Sequence, residues 1–329
     1  MDLPTHGKTS DEVSDSIREA LSGDADWHGG KIFSLVYFAG EDVAAVLRDA
    51  YSAAIFTNGL GPGAFRSLKK FESEVVAMTA GLLGDPAAVG NMTSGGTESI
   101  LMAVKTARDW ARATKGITEP EMIAPVTAHP AFDKAAQYLG LRMVHTGIGP
   151  DLRADVAAIR AAVTPNTVLL VGSAPNYPNG SIDAIPEIAS LAQERGIACH
   201  VDACLGGFML PFVERLGYDI PPWDFRVPGV SSISADCHKY GYAARGASTI
   251  MYRDRDYRRH QYFAVTDWPG GLYGSPTMTG SRPGGAIAAA WAVMQYLGED
   301  GYQRLAKVVM DTTRKVQDGI RSIDGLALV

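Results

Sequence analysis

The chain has little cysteine, no long apolar run and no excess of positive charge, and each shortage excludes something. Cys199, Cys204 and Cys237 are the only cysteines in 329 residues. The count is odd and no pair has CxxC spacing, so neither a disulfide framework nor a zinc site is expected; they read as reduced thiols of a cytoplasmic protein. No apolar stretch approaches the ~20 residues that span a bilayer, so no transmembrane segment is expected. The start, "MDLPTHGKTSDEVSDSIREAL", carries acids and no apolar centre, unlike a secretory signal. Thirty Lys and Arg against 36 Asp and Glu give a net charge of -6, which argues against a general nucleic-acid partner. Repeats and low-complexity tracts are absent too.

What is present is a soluble α/β composition, 46% apolar and 20% charged, long enough for one large domain with an appendage. Residues 1–50 read as a polar arm with short helical pieces such as "EDVAAVLRDAYSAAI". A glycine-rich loop then leads into an amphipathic helix with Phe71, Val75, Met78 and Leu82 on one stripe. Gly59, Gly61 and Gly63 do not make a dinucleotide fingerprint, because no strand precedes them and the last glycine is misplaced. From Asn91 the runs "MIAPVT", "RMVHTG", "TVLLVGSA", "IACHVDA", "VSSISA" and "STIMYR" read as strands, several of them separated by helical stretches. That alternation predicts a mostly parallel sheet with helices on both faces, and ligands beyond the carboxyl ends of the strands. Residues 51–300 form this large domain. Residues 301–329 read as a long helix followed by the first residues of a strand at "LALV", the start of a further domain.

The distinctive residues fall just after the strand-like runs. In "SADCHKYGYAARG" Lys239 sits among small and aromatic residues; partial desolvation favours its neutral, nucleophilic amine, which can form a Schiff base with an aldehyde. "TSGGTESILMAVKTARD" opens a helix on Gly95, Gly96 and Thr97, where backbone N–H groups can hold an anion. Asp202 ends a buried strand, and a carboxylate there suits a pyridinium nitrogen. His129 in "VTAHPAF" can stack on an aromatic ring, and Ser281 with the glycines of "SPTMTGSRPGG" can reach a phosphate, across a subunit interface if need be. Taken singly, each has a plainer explanation: a surface lysine, an N-cap, an acid capping a loop, a loop histidine. In this order they imply pyridoxal 5'-phosphate.

With "AHPAFDKAAQYLG", "SAPNYPNGSID", "HVDACLGGFMLPF" and "GGLYGSPTMTGSRPGG", these strings resemble the sphingosine-1-phosphate lyases over most of the chain from about Lys31. The resemblance implies the aspartate-aminotransferase type of fold, with a seven-stranded, mostly parallel sheet and a small C-terminal domain largely absent here. It implies a homodimer with shared active sites. Lys239 is then the Schiff-base lysine, Asp202 the partner of the ring nitrogen and His129 the stacking residue. Gly95, Gly96, Thr97 and His238 hold the phosphate, with Gly280 and Ser281 coming from the partner subunit, and Tyr37, Asn58 and Arg245 lie on the substrate side. The implied reaction is retro-aldol cleavage of a phosphorylated sphingoid base to a long-chain aldehyde and phosphoethanolamine, with Lys239 or His129 as base. This chain departs from the family pattern twice: Asn58-Gly59-Leu60-Gly61 stands for Asn-Pro-Leu-His, and Arg245 stands for a lysine. An amino-acid decarboxylase and a catalytically impaired protein of the same fold are the alternatives.

Overall fold

The computed structural model describes residues 2–328. They divide into two compact units, one up to Phe38 and one from Ala39 onward. The first contains helix α1 (Ser10–Leu21), whose start is fixed by a capping box between Thr9 and Glu12.

The second unit is built on a seven-stranded sheet: β1 (Val89–Thr93), β2 (Glu121–Pro125), β3 (Arg142–Thr146), β4 (Thr167–Ser173), β5 (Ala198–Asp202), β6 (Ser232–Ala235) and β7 (Ser248–Tyr252). Their order across the sheet is β1-β7-β6-β5-β4-β2-β3, and every neighbouring pair is parallel except the two made by β7. Because β7 runs against both β6 and β1, those two run the same way. Six strands therefore end on one edge.

The helices of this unit are α2 (Glu41–Ala53), α3 (Arg66–Leu82), α4 (Gly96–Lys115), α5 (Ala131–Leu139), α6 (Val156–Ala162), α7 (Ile185–Arg195), α8 (Leu210–Arg215), α9 (Arg255–Arg258) and α10 (Gly284–Arg321). Alternate strand residues face opposite layers, as the period of two requires. Met122, Ala124, Leu169, Val171 and Ile250 pack with Ile100, Val104 and Phe132 of α4 and α5. Ile123, Leu170, Val201, Ile233 and Met251 pack with Ile159, Ile185 and Ile188 of α6 and α7. Burial on both faces is why the central strands read as continuous apolar runs. A short hairpin, β8 (Phe263–Val265) with β9 (Tyr273–Ser275), stands apart from this sheet.

All six runs read as strands form β2–β7, and three strands were not anticipated: β1 of the main sheet and the β8–β9 pair. Gly90 and Asn91 of β1 are poor strand formers. Gly90 is needed because a Cβ there would lie 2.3 Å from the Ile250 carbonyl oxygen of β7. Phe71, Val75, Met78 and Leu82 recur about one turn apart along α3, where Phe71 stacks on Trp291 and Met78 Sδ accepts from Gln295 Nε2, both of α10. The helix expected near the end forms as the part of α10 that follows a break at Gly298 (φ 55°). One other expectation changes: residues 326–328 of the expected terminal strand are irregular, and Val329 lies outside the described residues.

Candidate active site

Of the residues singled out from the sequence, Gly95, Gly96, Thr97, His129, Asp202, His238 and Lys239 lie at or just after strand ends on that shared edge. β1 ends at Thr93, and Ser94 and Gly95 lead into α4, where Ser99 is the first amide to bond within the helix, to the Gly95 carbonyl at 3.0 Å. The preceding first-turn amides have no intrahelical acceptor and form an anion cradle. Glu98, buried, braces it. One carboxylate oxygen accepts from Ser94 N at 2.6 Å and the other from Met278 N at 2.8 Å and Thr279 N at 3.3 Å. The segment carrying Gly280 and Ser281 is thereby laced to the start of α4 in its own chain. A chain of hydroxyls, Thr93 to Ser99 at 2.6 Å and Ser99 to Ser248 at 2.8 Å, fixes α4 to β7.

Lys239 lies in the turn after β6. Its side chain is 23% exposed, and Nζ sits 2.9 Å from Oδ2 of Asp236. The expectation of a neutral amine is corrected here. Burial alone would push the Lys239 ammonium down, but Cys204 together with Asp236 and Asp202 outweighs it and holds the lysine above its ordinary range. The Cys204 thiol is itself driven well up by burial and stays neutral, so the two carboxylates carry the effect. The lysine of the protein alone is an ammonium. His238 approaches the same carboxylate, Nε2 to Oδ2 3.6 Å, and its imidazole Cε1 would lie 3.5 Å from a Cβ on Gly95. Burial pushes His238 down, with Arg245 and Lys239 adding to this and Asp236 opposing it.

Asp202 ends β5. Its Oδ1 accepts from Cys204 N at 3.0 Å and from Ser234 Oγ at 3.2 Å. Behind it His200, fully buried, bridges Ser232 (Nδ1 to Oγ 2.9 Å) and Ser234 (Nε2 to Oγ 3.2 Å). Burial, partly offset by Asp202, pushes His200 down to about 4, so the imidazole is neutral. With the Ser234 hydroxyl given to Asp202, the imidazole proton belongs on Nε2. His129 follows β2, two strands from β5 across β4; it is exposed, and Nδ1 accepts from Ala131 N at 3.1 Å, which fixes its ring. Thr97 lies half-buried in the first turn of α4.

On the substrate side, Arg245 is exposed in the loop before β7. Asn58 uses both ends of its amide: Oδ1 accepts from Leu60 N at 2.9 Å and Arg282 N at 3.1 Å, and Nδ2 donates to Ser281 Oγ at 2.9 Å. Tyr37 belongs to the N-terminal unit and is half-buried there. The cavities of about 450 and 690 Å³ elsewhere in the second unit are lined by neither Lys239, Asp202 nor His129.

Sequence reasoning passed over Asp236, Glu98, His200 and the Glu72–Arg282 pair. Only Asp236 had a readable signal: an acid three residues before a lysine, which a turn brings to the same side.

The arrangement fits a phosphate-bearing pyridine aldehyde on its own geometry. A cradle of glycines, a primary amine and a strand-end carboxylate share one edge. In addition, His238 Nδ1 and Asp236 Oδ1 are buried with no hydrogen-bond partner among the described residues.

The family described as the pyridoxal-dependent decarboxylase conserved domain matches residues 1–328. Sphingosine-1-phosphate lyase of Arabidopsis thaliana is 48% identical over 97% of the chain and 60% of its own length. An L-aspartate/L-glutamate decarboxylase of Pyrococcus horikoshii is 35% identical over all of the chain and 84% of its own length. Among solved structures, a Burkholderia pseudomallei sphingosine-1-phosphate lyase superposes with a TM-score of 0.96 at 44% identity, covering 98% of this chain and 76% of that one. The chain spans about 60% of the length of the curated lyases it matches. The chain belongs to the pyridoxal-dependent decarboxylase family, and within it is similar to sphingosine-1-phosphate lyases.

Proposed function

We propose that this chain carries the cofactor-binding body of a carbon–carbon lyase that cleaves phosphorylated sphingoid bases to a long-chain aldehyde and phosphoethanolamine. One observation carries the reading. The Lys239 amine, the glycine-opened start of α4 and Asp202 share one sheet edge, in a chain 43–48% identical to sphingosine-1-phosphate lyases. Bound pyridoxal phosphate supplies an aldehyde carbon for amine attachment and a ring that accepts the electron pair of a breaking bond.

The residues divide the remaining work. Gly95, Gly96, Thr97 and His238 hold the phosphate, and Lys239 anchors the aldehyde end. Asp202 has one oxygen occupied by Cys204 N and Ser234, which leaves the other to hold the ring nitrogen's proton. His129 covers the ring face. Lys239 or His129 takes the proton from the hydroxyl one carbon beyond the amine-bearing carbon. That oxygen then forms the aldehyde carbonyl, and the bond between the two carbons breaks. Arg245 binds the substrate phosphate as a two-pronged donor, Asn58 organises its own loop, and Tyr37 keeps the substrate-side role that the resemblance implies. These contacts would orient the substrate in the site and so select which of its bonds breaks. The proposal includes a homodimer in which Gly280 and Ser281 of one protomer reach the other's site, and a cytoplasmic setting, in keeping with three buried free thiols. Among the described residues no helix is long and apolar enough to cross a membrane.

A second reading, amino-acid decarboxylation, draws on the Pyrococcus relative and on Gly61, which cannot transfer a proton where the lyase pattern has histidine. Product analysis separates the two. Aldehyde from a phosphorylated sphingoid base supports the lyase; carbon dioxide from an amino acid, with no aldehyde, replaces it.

A further inference from the structure

Asp236 is the acid nearest the lysine, and no role in the reaction has yet been given to it. It is 2% exposed, and a tight turn fixes it relative to Lys239: Lys239 N donates to the Asp236 carbonyl at 3.3 Å, Tyr242 N to the Lys239 carbonyl at 2.9 Å, and His238 N to the Ala247 carbonyl at 3.0 Å. Within that turn Nζ lies 2.9 Å from Oδ2, and Oδ1 meets no donor among the described residues. The opposite wall is the start of α4, where a Cβ at Gly96 would come within 2.8 and 2.9 Å of the two carboxylate oxygens. The titratable and charged groups facing the pair are Cys204 and Asp202 from the end of β5, Cys237 and His238 from the turn itself, and Arg245 before β7. Among the interactions the structure gives for the described residues, the group within hydrogen-bond distance of Nζ is Asp236 rather than any of these.

We propose that Asp236 is the positioning residue for Lys239, holding the amine as an ammonium when it is unattached and receiving its proton when it has to act as nucleophile or base. The step is a proton transfer. An Nζ–H bond breaks, an Oδ2–H bond forms and the electron pair stays on nitrogen, so a charged pair becomes a neutral pair with no other reactant. A neutral pair suits this place, because a buried carboxylate with one unserved oxygen is costly to keep charged without its ammonium. The inference deepens the proposed function and depends on it only for what the amine attacks.

The test separates the two. In cofactor-free protein, Lys239 is acetylated competitively across a pH series and read by peptide mass against exposed Lys69 as internal standard. Wild-type Lys239 should reach half-labelling at higher pH than Lys69. Asp236→Asn should lower that midpoint by ~1–3 pH units, the effect of removing an opposite charge at this range, and Asp236→Glu should restore much of it. Circular dichroism checks the fold of each variant. An unmoved midpoint in folded Asp236→Asn overturns the proposal. Should that variant not fold, wild type still decides, because equal midpoints for Lys239 and Lys69 overturn it too. The pH optimum for cofactor incorporation should shift down with the labelling midpoint. Wild type that never takes up pyridoxal phosphate would defeat the proposed function while leaving the labelling result intact.

Discussion

Arg282 ties together more of the site's surroundings than any catalytic candidate, and replacing it with methionine is a quantitative test of the fold. Its guanidinium grips Glu72 of α3 with two bonds, 2.6 and 2.9 Å, while Nη2 also donates to the Gly59 carbonyl at 3.1 Å. Glu72 in turn accepts from Met92 N of β1 at 3.0 Å. Methionine keeps the apolar stem but leaves Glu72 without its cation and the Gly59 carbonyl without its donor. Breaking a fully buried pair costs ~3–5 kcal/mol. Here the two side chains are 11% and 18% exposed, which sets the expectation at ~2–4 kcal/mol. An unfolding entropy of ~2.1 cal/mol/K per residue gives roughly 0.7 kcal/mol/K for this chain. Arg282→Met should therefore lower the melting temperature by ~3–6 °C by circular dichroism. In a double-mutant cycle with Glu72→Gln, the coupling should be on the order of 1–3 kcal/mol. A melting point moved by less than about 1 °C, with additive single changes, would refute the claim that this pair staples the 58–61 loop to the sheet.

Three further outcomes are expected. Gly96→Ala places a methyl 2.8 Å from both Cys204 Sγ and Asp236 Oδ2; it should cost ~1–3 kcal/mol in thermal unfolding and weaken cofactor binding at least about tenfold by spectral titration. His200 has its folded pKa depressed to about 4 from an ordinary 6.5. The unfolded chain therefore binds the proton first, and this contribution is lost as pH falls from 6.5 to about 4. Urea unfolding should show wild type losing ~3 kcal/mol over that window relative to His200→Gln, and parallel profiles would contradict it. Lys239→Ala should retain no cofactor after borohydride reduction by mass, whereas wild type retains one, located on Lys239.

Much of the sheet was legible in the sequence because strands buried on both faces leave apolar runs such as "TVLLVGSA". β1 was not, since Gly90 is chosen for the backbone of β7 a hundred and sixty residues away, and no local propensity records that. Three candidate positions were readable from the runs they follow: His129 comes after β2, Asp202 ends β5 and Lys239 comes after β6, whereas Gly95, Gly96 and Thr97 follow β1, which left no run. The charge on Lys239 was not readable. Its neighbours in sequence predict desolvation, but its state is set by Asp236 across the turn and by Asp202 from another strand. Glu98 and Arg282 were invisible for a related reason, because their partners lie about 180 and 210 residues away.

The reversed strand β7 has a consequence for how the site keeps its dimensions. It enters the sheet from the reactive edge, with Ser248 opposite Thr93 on one side and Thr249 opposite Ala235 on the other. The segment from Lys239 to Ser248 therefore dips between the ends of β1 and β6, which the intervening β7 holds two strand widths, ~10 Å, apart. Sheet geometry thus sets the spacing of the two strand ends from which the start of α4 and the lysine turn spring. A one-residue insertion between Lys239 and Ser248 would either be looped out or would slip β7 against both neighbours at once, rotating its side chains through the two cores.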